Sequence, residues 1–176
     1  MKYLIASDLH GGADACSALC DVFEKSGADC LILLGDVLYH GPRNDLPNGY
    51  APQKVIPMLG AIADKILCVR GNCDAEVDDM VLDFDVLIPN RTLCDGELVM
   101  YLHHGHHDLP KLAPGTVVLY GHTHILDCRE QDGLYFFNPG STTIPKGGNP
   151  PSYMIYENRT FTAYDFDGRV LFEKSV

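Results

Sequence analysis

Residues 2–10 read KYLIASDLH, an apolar run that breaks into Ser, Asp and His. The apolar part has the length and composition of a short buried strand. The same figure returns twice in the first half of the chain. CLILL (30–34) runs into Gly35-Asp36, and KILCVR (65–70) runs into Gly71-Asn72-Cys73-Asp74. After the first run, residues 13–25 place Cys16, Leu19, Cys20 and Phe23 at helical spacing, and Gly27 closes the element. After the second, a Gly-, Pro- and Asn-rich segment over 41–52 leads into a helix with Val55, Leu59 and Ile62 on one face. Strand, helix, strand, helix, strand predicts parallel strands joined by helical crossovers, and so an α/β fold.

The second half changes character. Asp95-Gly96, Asp132-Gly133 and Asp167-Gly168 each lie between strand-like segments and read as tight hairpin turns, because Asp-Gly readily takes positive φ. Mostly antiparallel strands are expected there, with TVVLY (116–120) as one more buried strand. No repeat, low-complexity tract or linker divides the chain, so one domain over 1–176 is expected.

Composition narrows the function classes. Hydrophobic content of 46% and charged content of 21% are ordinary for a globular protein. No apolar run approaches the ~20 residues of a membrane span. The apolar stretch at the N-terminus, about five residues, is shorter than a secretory core. The seven cysteines form no CxxC pair, and Cys30 and Cys68 sit within or beside apolar runs. Reduced, mostly structural thiols and a cytoplasmic address are expected. A net charge of −11 argues against a nucleic-acid polymer as partner, since neutralising phosphates needs a surplus of Lys and Arg. It leaves a small phosphate ester open, because bound divalent cations invert the local field. No membrane partner is expected, and strands exposed in the C-terminal half would suit a homo-oligomer.

The chemistry-bearing side chains follow the strands. Asp8 and His10 end the first, Asp36 the second, and Asn72 and Asp74 the third. LHHGHH (102–107) follows ELVMYL with four of the eight histidines, and His122 and His124 follow TVVLY. Ligands of open α/β sheets bind beyond the carboxyl ends of strands, so five such ends would gather these groups at one sheet edge. DxH and GHxH are expected to put both side chains on one side of an extended backbone. Each piece alone reads equally as turn chemistry: Gly-Asp makes turns, and Asn after Gly caps or takes a left-handed conformation. Together, Asp, Asn and several His suit Mn²⁺, Fe or Zn²⁺ better than Mg²⁺ or Ca²⁺.

The order DLH…GD…GNCD…HGH…GHTH resembles the signature of the calcineurin-like metallophosphoesterases. The stretches GDVLYHGPRN, GYAPQKV, VRGNCDAEVD, LYGHTH and FNPGSTTIPKGGNPPSY are similar to their YfcE-like bacterial phosphodiesterase subgroup along almost the whole chain. The resemblance implies a four-layer α/β/β/α sandwich of two mixed sheets flanked by helices, and two divalent metal ions. Asp8, His10 and His124 would hold one ion, Asn72, His104 and His122 the other, and Asp36 would bridge them, one oxygen to each. His103 would end a strand and point away, and His107 would be a surface residue. Where many members carry a histidine as leaving-group acid, this chain has Cys73, a mediocre proton donor. That leaves His106 as candidate acid, with Asp74 orienting a ligand or donor. Arg43, His40 and Cys73 are candidate substrate contacts, although a rigid loop with a surface Arg fits YHGPRN equally well.

The expected chemistry is hydrolysis of a small phosphodiester by a hydroxide bridging two ions about 3.5–4 Å apart. Mn²⁺ is the first expectation, with Fe, Zn²⁺, Ni²⁺ or Co²⁺ as alternatives. Phosphomonoesterase or cyclic-nucleotide phosphodiesterase activity on the same ions stays open. A retromer subunit also resembles this fold but works as a binding scaffold with an eroded metal site. All seven ligand positions here carry competent residues.

Overall fold

The structure, a computed structural model, describes all of residues 1–176. Three strands of the first half, β1 (Tyr3–Ala6), β2 (Cys30–Leu33) and β3 (Ile66–Cys68), run parallel. Their crossovers carry α1 (Ala13–Ser26) and α2 (Pro52–Gly60), as the apolar spacing predicts. A 3-10 turn over Ala63–Lys65 precedes β3, and a single-turn helix α3 (Glu76–Asp79) follows it. α1 ends on Gly27 at φ 66°, the left-handed stop expected of a glycine there.

The second half supplies β4 (Asn90–Asp95), β5 (Leu98–His103), β6 (Val117–Leu119), β7 (Leu126–Gln131), β8 (Leu134–Pro139), β9 (Ser152–Glu157), β10 (Thr160–Asp165) and β11 (Val170–Ser175). Two mixed sheets result, ordered β11-β10-β9-β1-β2-β3 and β4-β5-β6-β8-β7. Antiparallel pairs dominate the second half, as expected, and the exception lies at the centre of the second sheet. There β6 pairs parallel with both β5 and β8. A buried apolar triplet carries no mark of its direction, and the Asp-Gly signals report only on the hairpins around it.

Alternation within strands divides the interior in two. Leu4, Ala6, Leu31 and Leu33 meet Leu19 and Phe23 of α1 and Val55 and Leu59 of α2. The intervening Tyr3, Ile5 and Ile32 meet Met100, Leu102, Val117, Leu119 and Phe137 of the second sheet. Strands buried on both faces need no polar alternation, so the first half reads as continuous apolar runs. No helix follows residue 79. The connection 104–116, interrupted by Gly105, Pro110, Pro114 and Gly115, is irregular, and its Leu109 lines a shallow hollow together with Tyr120 and with Phe136 of β8.

Candidate metal centre

The five strand ends converge, but not on one sheet. Asp8, Asp36 and Asn72 come from the first sheet, His104, His122 and His124 from the second, so the site is a cleft between two sheets. Nor is the backbone extended. Asp8, His10, Asp36, His122 and His124 have φ of 54°, 46°, 57°, 67° and 59°. They are five of only eight non-glycine residues with positive φ, so strained backbone is concentrated here. A left-handed residue costs roughly 1–2 kcal/mol, and sharp reversal after each strand is what turns these side chains inward. The glycines between them allow close approach. A Cβ on Gly71 would collide with the backbone N and Oδ1 of Asp36, and one on Gly121 with Ser7 Oγ.

Buried polar groups hold these turns. Ser7 Oγ donates to Asp8 Oδ2 at 2.7 Å, His122 N–H donates to the same oxygen at 3.0 Å, and Ser141 Oγ donates to the Asp8 carbonyl at 2.7 Å. Asn138 Nδ2 donates to the Gly121 carbonyl at 2.8 Å. Three histidines use Nδ1 on backbone carbonyls: His10 on Tyr39 at 2.8 Å, His104 on Leu34 at 2.6 Å and His124 on Ile144 at 2.8 Å. Carbonyls only accept, so each Nδ1 carries a proton, and in the neutral form of each ring it is the Nε2 lone pair that faces the cleft.

The inward atoms form two adjoining groups. Asp8 Oδ1 lies 3.6 Å from His10 Nε2 and 3.3 Å from His124 Nε2, and those nitrogens are 3.2 Å apart. Asn72 Oδ1 lies 3.2 Å from His104 Nε2, with the His122 ring centre 5.1 Å from that of His104. Between them, Asp36 Oδ2 is 3.3 Å from His104 Nε2 and 3.6 Å from His10 Nε2. Its other oxygen accepts from Cys73 N–H at 2.8 Å. One oxygen, rather than one on each side, therefore faces both groups.

This arrangement fits cations. Asp8 Oδ1 is buried without a hydrogen-bond partner, an expensive state for a carboxylate oxygen. The Nε2 atoms of His10 and His124 face each other beside it at 3.2 Å, so a proton or a metal cation must lie between them. The ligand atoms of Asp8, His10 and His124 all lie within 4.8 Å of one another, as do those of Asp8, Asp36 and His104. The titration of these groups follows the same logic. Burial raises the Asp8 carboxyl, but His10, His124 and His104 outweigh it and leave it below its ordinary value. Burial lowers His104, yet Asp36 and Asp8 carry it up to about 9.

Other expected residues take different places. Asp74, 2% exposed, lies behind the site. Its carboxylate accepts from the backbone N–H of Asp36 at 2.9 Å, Gly71 at 2.7 Å and Val37 at 2.8 Å. It thus ties the β2 and β3 loops together, its carboxylate spent on backbone N–H groups and absent from the cleft wall. Cys73 lines the cleft, its thiol pushed up to about 12 by burial and by Asp36. His106 stands 5.3 Å from His104, ring centre to ring centre. Burial and the neighbouring His104 and His107 push it down to about 4, so it is neutral at pH 7. Arg43 lines the cleft as expected, whereas His40 is absent from its wall and packs edge-on against Tyr50, 5.2 Å away. His103 ends β5 near the Tyr120 ring, and His107 is exposed.

Lys146 and Thr123, which no sequence motif singles out, also line the cleft of about 360 Å³. Lys146 N–H donates to the His124 carbonyl at 2.9 Å, which anchors it to the turn that carries His124. Its stretch, IPKGGNP, carries no Asp, His or Cys to draw notice.

Paired sheets with Asp, Asn and His gathered at their strand ends define the scaffold of a metal-binding phosphoesterase. The chain belongs to the calcineurin-like phosphoesterase superfamily, whose domain model matches residues 1–160. It is 46% identical over 162 residues to Phosphodiesterase YfcE of Escherichia coli strain K12, covering 90% of this chain and 88% of that one. The solved structure of Yfce, a phosphoesterase from E. coli, matches with a TM-score of 0.96 and 42% identity over 99% of each chain. Vacuolar Protein Sorting 29 from Cryptosporidium parvum matches with a TM-score of 0.66 at 22% identity, covering 99% of this chain and 98% of its own, a likeness of fold alone.

Proposed function

We propose that this protein is a phosphodiesterase dependent on two divalent metal ions. The observation that carries the reading is the cleft in which the unpartnered Asp8 Oδ1 faces the Nε2 atoms of His10 and His124, with Asp36 Oδ2 shared toward His104. The 46% identity to a phosphodiesterase supports the same conclusion. Asp8, His10 and His124 would hold one ion, Asn72, His104 and His122 the other, and Asp36 both. Ions bound there supply Lewis acidity toward the phosphoryl oxygens and an activated water. Mixed nitrogen and oxygen donors including an amide favour Mn²⁺ or Fe over a zinc site.

The chain's own residues set the rest. The carbonyls of Tyr39, Leu34 and Ile144 fix the tautomers and orientation of three rings. Asp74 fixes the backbone that carries Asp36. Only two of the seven ligand residues are carboxylates, so the centre stays positive toward an anionic diester. Cys73 and a neutral His106 are both reluctant proton donors, which favours esters whose leaving groups depart with little help. No helix is long and apolar enough to cross a membrane, and all seven cysteines are free, which supports work in the reducing cytoplasm.

The test is hydrolysis of a nitrophenyl phosphodiester before and after chelation. Stripped protein should lose activity and regain it with Mn²⁺. Rates indifferent to the chelator would overturn the proposal.

A further inference from the structure

The centre opens on both sides of Asn72, and the two sides differ in charge. On one side, Arg43, Asn44 and Lys146 form a wall shared between the metal cleft and a trough of about 450 Å³ between residues 43–48 and 143–146. Arg43 and Lys146 rise from facing loops, and neither is engaged by a carboxylate. Asp45 is the one acidic residue in that trough. Both loops are tied to the site: one through Lys146 N–H donating to the His124 carbonyl, the other through the Tyr39 carbonyl accepting from His10 Nδ1 at 2.8 Å, with Asn44 Nδ2 bracing that loop internally on the His40 carbonyl at 2.8 Å. On the other side, a hollow of about 400 Å³ has Asn72 at its wall together with Leu87, Pro89 and His106. Its one Arg is already occupied: Arg70 Nη2 lies 3.8 Å from Glu76, and Nε donates to the Asp74 carbonyl at 3.3 Å.

A phosphate monoester has one arm and would fill one of these spaces; a diester has two. In a chain of net charge −11, a pair of free cations beside the centre runs against the global field and selects for local negative charge. We infer that the substrate is an asymmetric phosphodiester, with one ester arm bearing a second anionic group between Arg43 and Lys146 and the other arm uncharged against Leu87 and Pro89. This rests on the phosphodiesterase reading and names its substrate class. The trough has a volume within the range of small-molecule sites, enough for a short phosphorylated or carboxylated arm.

The experiment uses the Mn²⁺-loaded full chain and two nitrophenyl diesters that differ only in the second arm, ending in a methyl or a phosphonate group. The phosphonate-bearing diester should have the higher kcat/KM, by about tenfold, as expected for charge-assisted hydrogen bonds. The preference should shrink as salt is raised. Lys146→Ala and Arg43→Ala should each reduce it and the double variant should remove it, with metal content by elemental analysis unchanged. No preference in the unmodified protein, or a preference that survives in the double variant, overturns the inference. If neither diester is hydrolysed, the phosphodiesterase reading falls and takes this one with it.

Discussion

At the scale of single residues, the proton inventory of the cleft decides how it takes up metal. His104, raised to about 9 by Asp36 and Asp8, carries a proton at pH 7 in the metal-free protein. That proton must leave before Nε2 can bind a cation, so metal uptake and proton release are one event. Titrating Mn²⁺ into weakly buffered protein at pH 7 should release about one proton per chain from this residue. Apparent affinity should rise between pH 7 and 9. Uptake without acidification of the solution would show that His104 is no ligand. A second residue-scale prediction separates His106 from Cys73. If His106 helps the leaving group, His106→Ala should slow alkyl diesters about 10²–10⁴-fold while sparing nitrophenyl diesters, and Cys73→Ala should do little to either. A neutral His106 that only contacts substrate predicts equal losses on both, read as ratios of kcat/KM. Residue types at strand ends gather the candidate groups, but which histidine of LHHGHH joins the set of seven, and how the seven divide between two ions, comes only with the family resemblance. Neither reveals that Asp36 spends one oxygen on Cys73 N–H, or that His40 turns toward Tyr50. Those facts depend on partners distant in sequence.

At the scale of elements, signals survive in the sequence where one residue type alone meets a backbone demand. Asp132-Gly133 is the two-residue turn expected, with φ of 53° and 75° between Gln131 and Leu134. Asn158-Arg159 makes the same turn between β9 and β10, at φ 50° and 62°, without a glycine, and so left no such mark. At Asp95-Gly96 the register Asp95↔Leu98 puts Gly96 and Glu97 at the turn centre, one position later than the dipeptide suggests. The turns at Asp8, His10, His122 and His124 leave no mark for a related reason: Asp and His tolerate left-handed φ, but nothing local demands it. A glycine substitution separates turns that shape the site from turns that only reverse the chain. Gly71→Ala should cost about 1–3 kcal/mol and sharply reduce metal affinity, because its Cβ meets the backbone that carries Asp36. Gly96→Ala, whose Cβ has open space at φ 61°, should cost about 1 kcal/mol by denaturant unfolding and leave metal content and activity intact. Equal effects on metal content would mean that the β3 loop does not support the centre.

At the scale of the whole molecule, the two sheets meet at a site that concentrates strained backbone and a buried carboxylate oxygen without a partner, so the proposed metal binding would be coupled to folding. Ions that bind only the folded chain stabilise it by about 2.7 kcal/mol at a hundredfold excess over Kd. For a chain of this length that corresponds to a rise in Tm of roughly 5–10 °C. The pH dependence follows from His104. Its folded-state value near 9 lies above the ordinary 6.5, so its proton contributes stability fully below 6.5, and that contribution is lost as pH rises through 9. Metal-free protein should therefore lose stability across this window. Mn²⁺ acts in the opposite sense, binding better as the proton departs, so the rise in Tm produced by Mn²⁺ should grow from pH 6 to pH 9. Asp36→Ala should reduce that rise at every pH, since the residue whose Oδ2 faces both groups is gone. A metal-induced shift in Tm that is flat with pH, or undiminished in Asp36→Ala, would separate the ions from this cleft and place them elsewhere on the chain.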